Sequence, residues 1–324
     1  MAERMRVVRV ERTGGPEVLL PAEEDVPTPG EGELLVELAA TGVNFVDVYR
    51  RSGAYPIDLP HVPGTEGAGR VAAVGPGVTG FRAGDAVATA EGRRTYAGSA
   101  IVPAAAAAHV PAGVDLETAA ALPLQGLTAH YLVTSVHAVA DGTTLLVHAG
   151  AGGVGLLLIQ LAKARGATVL ATVGGAEKAE LARGAGADVV LDYDGFADRV
   201  RERTGGRGVD VVYDGVGAAT WEGSLAALRP RGLLALFGAA SGPVPPIDPA
   251  ALQRGGSLVL TRPTMGDFLQ TPEERSWRYG ELFDALASGA LDVRIGARFP
   301  LDEAADAHRA LEGRRTTGKV LLLP

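Results

Sequence analysis

The sequence predicts an α/β chain built from two parts, an all-β barrel and a doubly wound parallel sheet. Three observations carry that expectation. Up to Pro103 the chain holds short apolar runs punctuated by glycine and proline, with no long helical pattern. From Thr144 onward the texture becomes an alternation of strand and helix, the pattern of a parallel sheet. The alternation opens on residues 144–155, TLLVHAGAGGVG, an apolar run leading into a glycine-rich turn.

In order, the first strand is expected at 5–10, followed by a turn at Gly14-Gly15-Pro16. Residues 21–32, rich in proline, glycine and glutamate, read as a surface loop. Strands follow at 33–39, 69–74, 85–90 and 96–102, the last closed by Pro103. The alanine run 104–108 reads as a spacer or strand edge. A helical connection is expected at 115–122 and a helix at 126–136.

The strand 144–149 then leads to a helix from Gly153 to Gly166. Val154, Leu157, Leu158 and Leu161 recur at helical spacing, and Leu156 and Ile159 are apolar too, so this helix is buried nearly all round. Strands at 168–173, 188–193, 209–214, 233–237 and 257–261 alternate with helices at 177–183, 196–204 and 220–228. Short apolar strands with helices between them predict the doubly wound sheet. Beyond residue 262 come a helix at 272–288, a strand ending at 299–300, a helix at 301–312 and a strand at 319–323. That tail is too small for a domain of its own and should complete the barrel. The expected domains are therefore 1–124 with 263–324, and 125–262.

Composition narrows the function. The 324 residues carry a net charge of −8, the opposite of a nucleic-acid footprint. Cysteine is absent, which excludes disulfides, thiolate metal sites and thiol nucleophiles. No signal peptide is visible, and no apolar run reaches the ~18 residues of a membrane span, so the cytoplasm is expected.

Gly150, Gly152 and Gly155 fall in the G-x-G-x-x-G pattern between an apolar strand and an apolar helix. The first glycine suits a tight turn, the second a close approach to a pyrophosphate, and the third close packing of helix and strand. The helix N-terminus then offers unpaired N–H groups and the positive end of its dipole to phosphates. Strand ends at Gly150, Gly174, Gly215 and Gly238 leave room for a ligand to approach the backbone. The second strand ends Thr172-Val173-Gly174-Gly175 without an acid for a ribose diol, and Lys178 and Tyr193 follow. A cation with an aromatic hydroxyl suits a 2′-phosphate, so NADPH is expected rather than NADH. Glu177 lies near the position of an NAD carboxylate but, early in its helix, favours the dipole instead.

No metal site is expected. Residues 44–47 and Gly64-Thr65-Glu66 sit where a barrel loop could present ligands, but Glu66 alone cannot hold zinc and His61 has no second ligand at suitable spacing. His148 reads as a hydrogen-bonded structural residue, and His130 with His137 lack a third ligand. Without a metal to polarise a carbonyl, the acceptor should be a quinone or an activated enone, whose reduced form is a stabilised phenolate or enolate. Asn44 and Tyr49 are candidates to hydrogen-bond the developing oxyanion or the nicotinamide ribose. Tyr55 is a candidate to cap the pocket. Asp47 and Thr128 are further polar candidates, Asp47 with an arginine partner as its structural reading.

The pieces GVNFVDVYRRSGAYP (42–56), PGTEGAGRVAAVGPGVTGFRAGDAV (63–87), LQGLTAHYL (124–132), HAGAGGVGLLLIQLAKARGA (148–167), VVYDGVGAATWEGSL (211–225) and the terminal TTGKVLLLP resemble the zinc-free quinone oxidoreductases of the medium-chain dehydrogenase/reductase superfamily. The likeness covers essentially the whole chain. It implies a GroES-like barrel plus a Rossmann domain, and an NADPH-dependent, zinc-independent quinone reductase. Zinc-dependent relatives carry Cys where Asn44 stands and His where Thr65 stands. The resemblance places Gly152, Gly153 and Val154 at the pyrophosphate. It places Gly174, Lys178 and Tyr193 at the 2′-phosphate, and Gly215, Phe237, Gly238, Ala239 and Thr264 toward the nicotinamide. Asn44, Asp47, Tyr49, Thr128, Tyr131 and Arg314 look similar to positions on the barrel side of the site. It also implies a homodimer joined along Rossmann sheet edges, with 257–261 as the edge here. Reduction of α,β-unsaturated carbonyls, or non-catalytic NADPH binding, are the alternatives.

Overall fold

A computed structural model describes residues 3–324. Two compact units emerge. One runs to Gln125 and includes Thr271–Pro324; the other is Gly126–Gln270. In chain order the strands are β1 (Arg4–Arg9), β2 (Leu20–Asp25), β3 (Glu33–Val43), β4 (Gly67–Val74), β5 (Ala86–Thr89), β6 (Ser99–Pro103) and β7 (Ala108–His109). There follow β8 (Thr144–Val147), β9 (Thr168–Thr172), β10 (Val189–Leu191), β11 (Val209–Asp214), β12 (Leu228–Leu236), β13 (Val259–Thr261), β14 (Ile295–Pro300) and β15 (Lys319–Leu323).

In the first unit β3 organises the sheet. One side pairs antiparallel with β4. The other pairs with β6 along its first half and with β15 along its second. Register shifts in the β3–β4 pairing, at Leu35/Val36 and Leu38/Ala40, bend the strand so that it can serve all three neighbours. The C-terminal segment completes this unit: β15 lies against β3, and β14 lies parallel to β15. Val7, Val8, Val43, Tyr96, Leu301, Ala307 and Leu322 share one core, so distant segments of the chain pack as one body.

The expected loop at 21–32 is corrected: Leu20–Asp25 is a strand that pairs with β1. Its charged residues concealed it, because this two-stranded ribbon carries them outward, with Arg4 3.4 Å from Asp25. A second correction concerns 44–47. They do not form a loop; Asn44 is the N-cap of a helix, Phe45–Ser52, which ends at left-handed Gly53.

The second unit is a six-stranded sheet, ordered β10-β9-β8-β11-β12-β13, with every pair parallel. Strand order reverses between β8 and β11, the switch point where such sheets bind ligands. Leu146, Leu170, Val212 and Leu234, one from each of the four central strands, share a core with Phe196, Val200 and Ala227 from two helices. The helix expected to end at Gly166 is Gly153–Lys163, closed by a turn at Gly166. The expected helix 126–136 becomes Pro123–Tyr131 followed by one wide π turn, Leu132–Val136.

Candidate functional site

In the second unit, β8 ends at Val147 and the chain turns through His148–Gly152 into the helix Gly153–Lys163. The residue in the left-handed region is Ala149, at φ 53°, rather than Gly150. The role read for the first glycine is therefore revised. Gly150 is needed for space, since a Cβ there would sit 2.9 Å from the Ala171 side chain. Ala149 is held in its unusual conformation because its N–H donates to the Tyr193 hydroxyl at 3.0 Å. Gly155 is the tightest of the three: a Cβ would lie 2.3 Å from the Ala149 carbonyl. Only a bare backbone lets the first helical turn close onto the strand end. Gly152 is the N-cap, without a side-chain cap, so the first N–H groups stay available to an anion.

Beneath this turn lies a buried polar chain. Asp214, at the end of β11, accepts from the Val216 and Gly217 N–H groups and from the Thr220 and Ser224 hydroxyls, at 2.7–3.0 Å. Because Ser224 donates to Asp214, its oxygen accepts from His148 Nε2 at 2.9 Å. His148 Nδ1 then accepts from the Thr172 hydroxyl at 2.7 Å. Burial pushes His148 down to about 4, so it is neutral and holds three strand ends together. This is the structural role read from the sequence.

At the next strand ends the backbone is again close-packed. A Cβ on Gly215 would meet the Phe237 ring at 2.8 Å, and one on Gly238 the Gly215 carbonyl at 2.5 Å. Arg262 Nη1 donates to the Leu236 carbonyl at 2.7 Å and the Gly238 carbonyl at 3.2 Å, pinning the segment that leads to Ala239. Gly174 and Gly175 are exposed with open space where a Cβ would stand, and half-buried Lys178 follows in the helix Ala176–Gly184. Exposed Thr264 opens the short helix Met265–Phe268, whose Phe268 stacks on buried Tyr131 with ring centres 4.5 Å apart. Thr128 and Tyr131 thus belong to the parallel-sheet unit rather than to the barrel side, a correction to their expected placement.

In the first unit, Asn44, Glu66 and Lys319 form a buried set. Lys319 pairs with Glu66, both fully inaccessible to solvent, and donates to Asn44 Oδ1 at 2.8 Å. Asn44 Nδ2 donates to Glu66 Oε2 at 2.8 Å and to the Gly42 carbonyl at 3.3 Å. The second Glu66 oxygen accepts the Leu124 N–H at 2.7 Å. Both hydrogens of the Asn44 amide are thereby engaged, which revises its expected role as an oxyanion donor: it braces its neighbours. Asp47 does not pair with an arginine as its structural reading proposed. It is buried, with Oδ2 accepting from Asn44 N–H at 3.0 Å and from the Tyr96 hydroxyl at 3.3 Å. Burial raises its carboxyl to about 6. The Tyr49 and Tyr55 rings lie 5.2 Å apart, with Tyr55 exposed. Arg314 is exposed, at φ 55°.

Glu66 and Lys319 as partners, and Tyr96, Arg51, His308, Asp214, Ser224 and Arg262, were missed. Lys319 carried a readable signal, a lysine opening the apolar run VLLL. The others become visible only when distant segments meet. No group of three or more metal-ligating side chains occurs among the described residues, and the donors present do not suit zinc. The chain has no thiolate, and a cation beside Glu66 would meet the Lys319 ammonium.

Two family profiles match the chain: the alcohol dehydrogenase GroES-like domain over residues 30–142, and zinc-binding dehydrogenase over 153–277. A quinone oxidoreductase of Pseudomonas aeruginosa is 47% identical over 315 residues, covering 96% of this chain and 97% of that one. The structure of Escherichia coli quinone oxidoreductase complexed with NADPH shares 43% identity, with a TM-score of 0.97 over 98% of this chain and 100% of that one. A mycobacterial structure complexed with NADPH shares 54% identity, with a TM-score of 0.97 and the same coverage.

Proposed function

The chain belongs to the quinone oxidoreductases of the medium-chain dehydrogenase/reductase family, and from that premise we propose that it is an NADPH-dependent quinone reductase that works without a metal ion. The observation that carries the reading is the turn 149–155, whose spacing admits no Cβ at Gly155 and leaves the helix N-terminus open to a pyrophosphate. NADPH, when bound, supplies the hydride.

The chain's own residues do the rest. Gly153 and Val154 offer backbone N–H groups to the pyrophosphate, while Gly152, whose own N–H is spent on the Ala149 carbonyl, lets it approach the backbone. Lys178 and Tyr193, beside open Gly174, meet the 2′-phosphate. Gly215, Phe237, Gly238, Ala239 and Thr264, with Thr128, Tyr131 and Arg314, orient the nicotinamide half. Tyr49 hydrogen-bonds the quinone oxygen that gains charge, and Tyr55 covers it from solvent. Asn44 and Asp47 hold the start of the helix that bears Tyr49. A quinone needs no Lewis acid, because its reduced oxygen is a phenolate stabilised by the ring. The edge strand β13, with Val259 48% exposed, joins two copies in a homodimer. No helix among the described residues is long and apolar enough to cross a membrane, and we place the protein in the cytoplasm.

The test is an acceptor screen with NADPH and NADH in parallel, in the presence of a chelator. Turnover of 1,4-benzoquinone with NADPH, unaffected by chelator, is expected. Turnover of an alkenal alone would move the reading to enone reduction. NADPH binding without oxidation by any acceptor would make the protein a nucleotide binder.

A further inference from the structure

The helix Phe45–Ser52 is tied at both of its turns by a single circuit of side chains. Asp47, in its first turn, accepts the Tyr96 hydroxyl at 3.3 Å. That hydroxyl also meets His308 Nε2 at 3.0 Å. His308 Nδ1 faces Arg51 Nη1 at 3.4 Å, and Arg51 lies four residues after Asp47 on the same helix. Arg51 also forks onto Glu312, four residues after His308, at 2.8 and 3.0 Å.

The direction of the circuit follows from donor chemistry. A guanidinium can only donate, so His308 Nδ1 accepts and Nε2 carries the proton. Nε2–H therefore donates to the Tyr96 oxygen, leaving the Tyr96 O–H to donate to Asp47. Arg51, His308, Tyr96 and Asp47 are all buried. We propose that Tyr96, His308 and Arg51 are positioning residues, a one-way chain of donors that fixes Asp47 and, through it, the helix presenting Tyr49 to the substrate. The proposal rests on the reading of Tyr49 as a substrate-side residue.

A helix that needed only packing would use apolar side chains here, since a buried polar circuit costs desolvation. This one is also incomplete. Asp47 Oδ1 has no partner, so both donors converge on Oδ2, and the carboxyl is held from one side only. The groups facing Asp47 are Arg50 on its own helix, Lys319 from β15 and Tyr96 from the segment before β6, with His308 behind Tyr96. Burial raises the Asp47 carboxyl, whereas the bonds from Asn44 and Tyr96 and the charges of Arg50 and Lys319 oppose the rise. The Arg51 charge and burial keep His308 neutral, the form the circuit requires.

Four variants and three readouts test the chain. Tyr96→Phe removes one donor from the Asp47 carboxylate. Its titration midpoint, followed by the 13Cγ shift of labelled aspartate, is expected to rise by about one pH unit. The acid limb of kcat/KM for 1,4-benzoquinone should move with it, and Asp47→Asn should abolish that limb. His308→Gln keeps an N–H donor and should retain most of the wild-type KM for quinone, whereas His308→Leu should raise it several-fold. A folded Tyr96→Phe with an unmoved Asp47 midpoint overturns the proposal. So does a His308→Gln indistinguishable from His308→Leu, which decides the matter if Tyr96→Phe does not fold. Failure of the wild type to reduce quinones would sink the functional reading, while the aspartate titration would still judge the chain.

Discussion

Two buried histidines, His148 and His308, are each a link in a hydrogen-bond chain that ends on an aspartate, and the two chains differ in completeness. In the parallel-sheet unit, Thr172, His148 and Ser224 lead to Asp214, and both Asp214 oxygens are filled. In the barrel unit, Arg51, His308 and Tyr96 lead to Asp47, and one oxygen is left bare. A satisfied network rigidifies its surroundings; a half-satisfied one leaves a buried polar atom without return for its desolvation. The first underlies a nucleotide turn that must keep its shape. The second holds the start of the helix Phe45–Ser52 through a single oxygen of its aspartate.

The largest test of that contrast is to remove each aspartate. Asp214→Ala strands four donors, three of them buried, and should cost about 3–5 kcal/mol in a denaturant melt. Asp47→Ala should cost less than half as much, because the native carboxylate is already poorly solvated. Equal losses would erase the distinction.

The barrel unit also holds the buried Lys319–Glu66 pair. Lys319→Met leaves Glu66 buried without its cation, at an expected cost of about 3 kcal/mol, and adding Glu66→Gln should recover most of it.

Acid separates the regions further. The folded values of His148, about 4, and His308, about 3, lie below 6.5, so the unfolded chain takes up those protons first. Their contribution is complete above pH 6.5 and is lost as pH falls toward those values. For His148 the loss is on the order of 3 kcal/mol. Asp47 runs the other way. Its folded value, about 6, lies above 3.8, so its contribution is full below 3.8 and is lost as pH rises through 6. Thermal melts against pH should show His148→Gln flattening the acid slope and Asp47→Asn steepening it.

The smallest effect belongs to the surface. Lys178→Ala should lower the preference for NADPH over NADH about tenfold, roughly 1.4 kcal/mol, read from the ratio of the two kcat/KM values. An unchanged ratio would remove Lys178 from the 2′-phosphate site.

How far the sequence could be read follows the same division. The parallel sheet was legible almost strand by strand, because each strand is a continuous apolar run and each turn is marked by glycine. Errors fell where polar residues hide order. The strand Leu20–Asp25 is charged on its open side, and the helix Phe45–Ser52 takes its start from the Asn44 cap and the Asp47 carboxylate. Asn44 was found as a site residue, but its partners lie 22 and 275 positions away, beyond any local pattern.

Taken alone, the sequence determined the two-part architecture, the glycine turn and the absence of thiolate chemistry, since periodicity, steric permission and composition are local properties. Tertiary structure alone decided which polar groups are bonded, in which direction, and which oxygen goes without. Those outcomes depend on where Tyr96, His308 and Lys319 arrive in space, and on how far burial moves the proton affinity of the groups they meet.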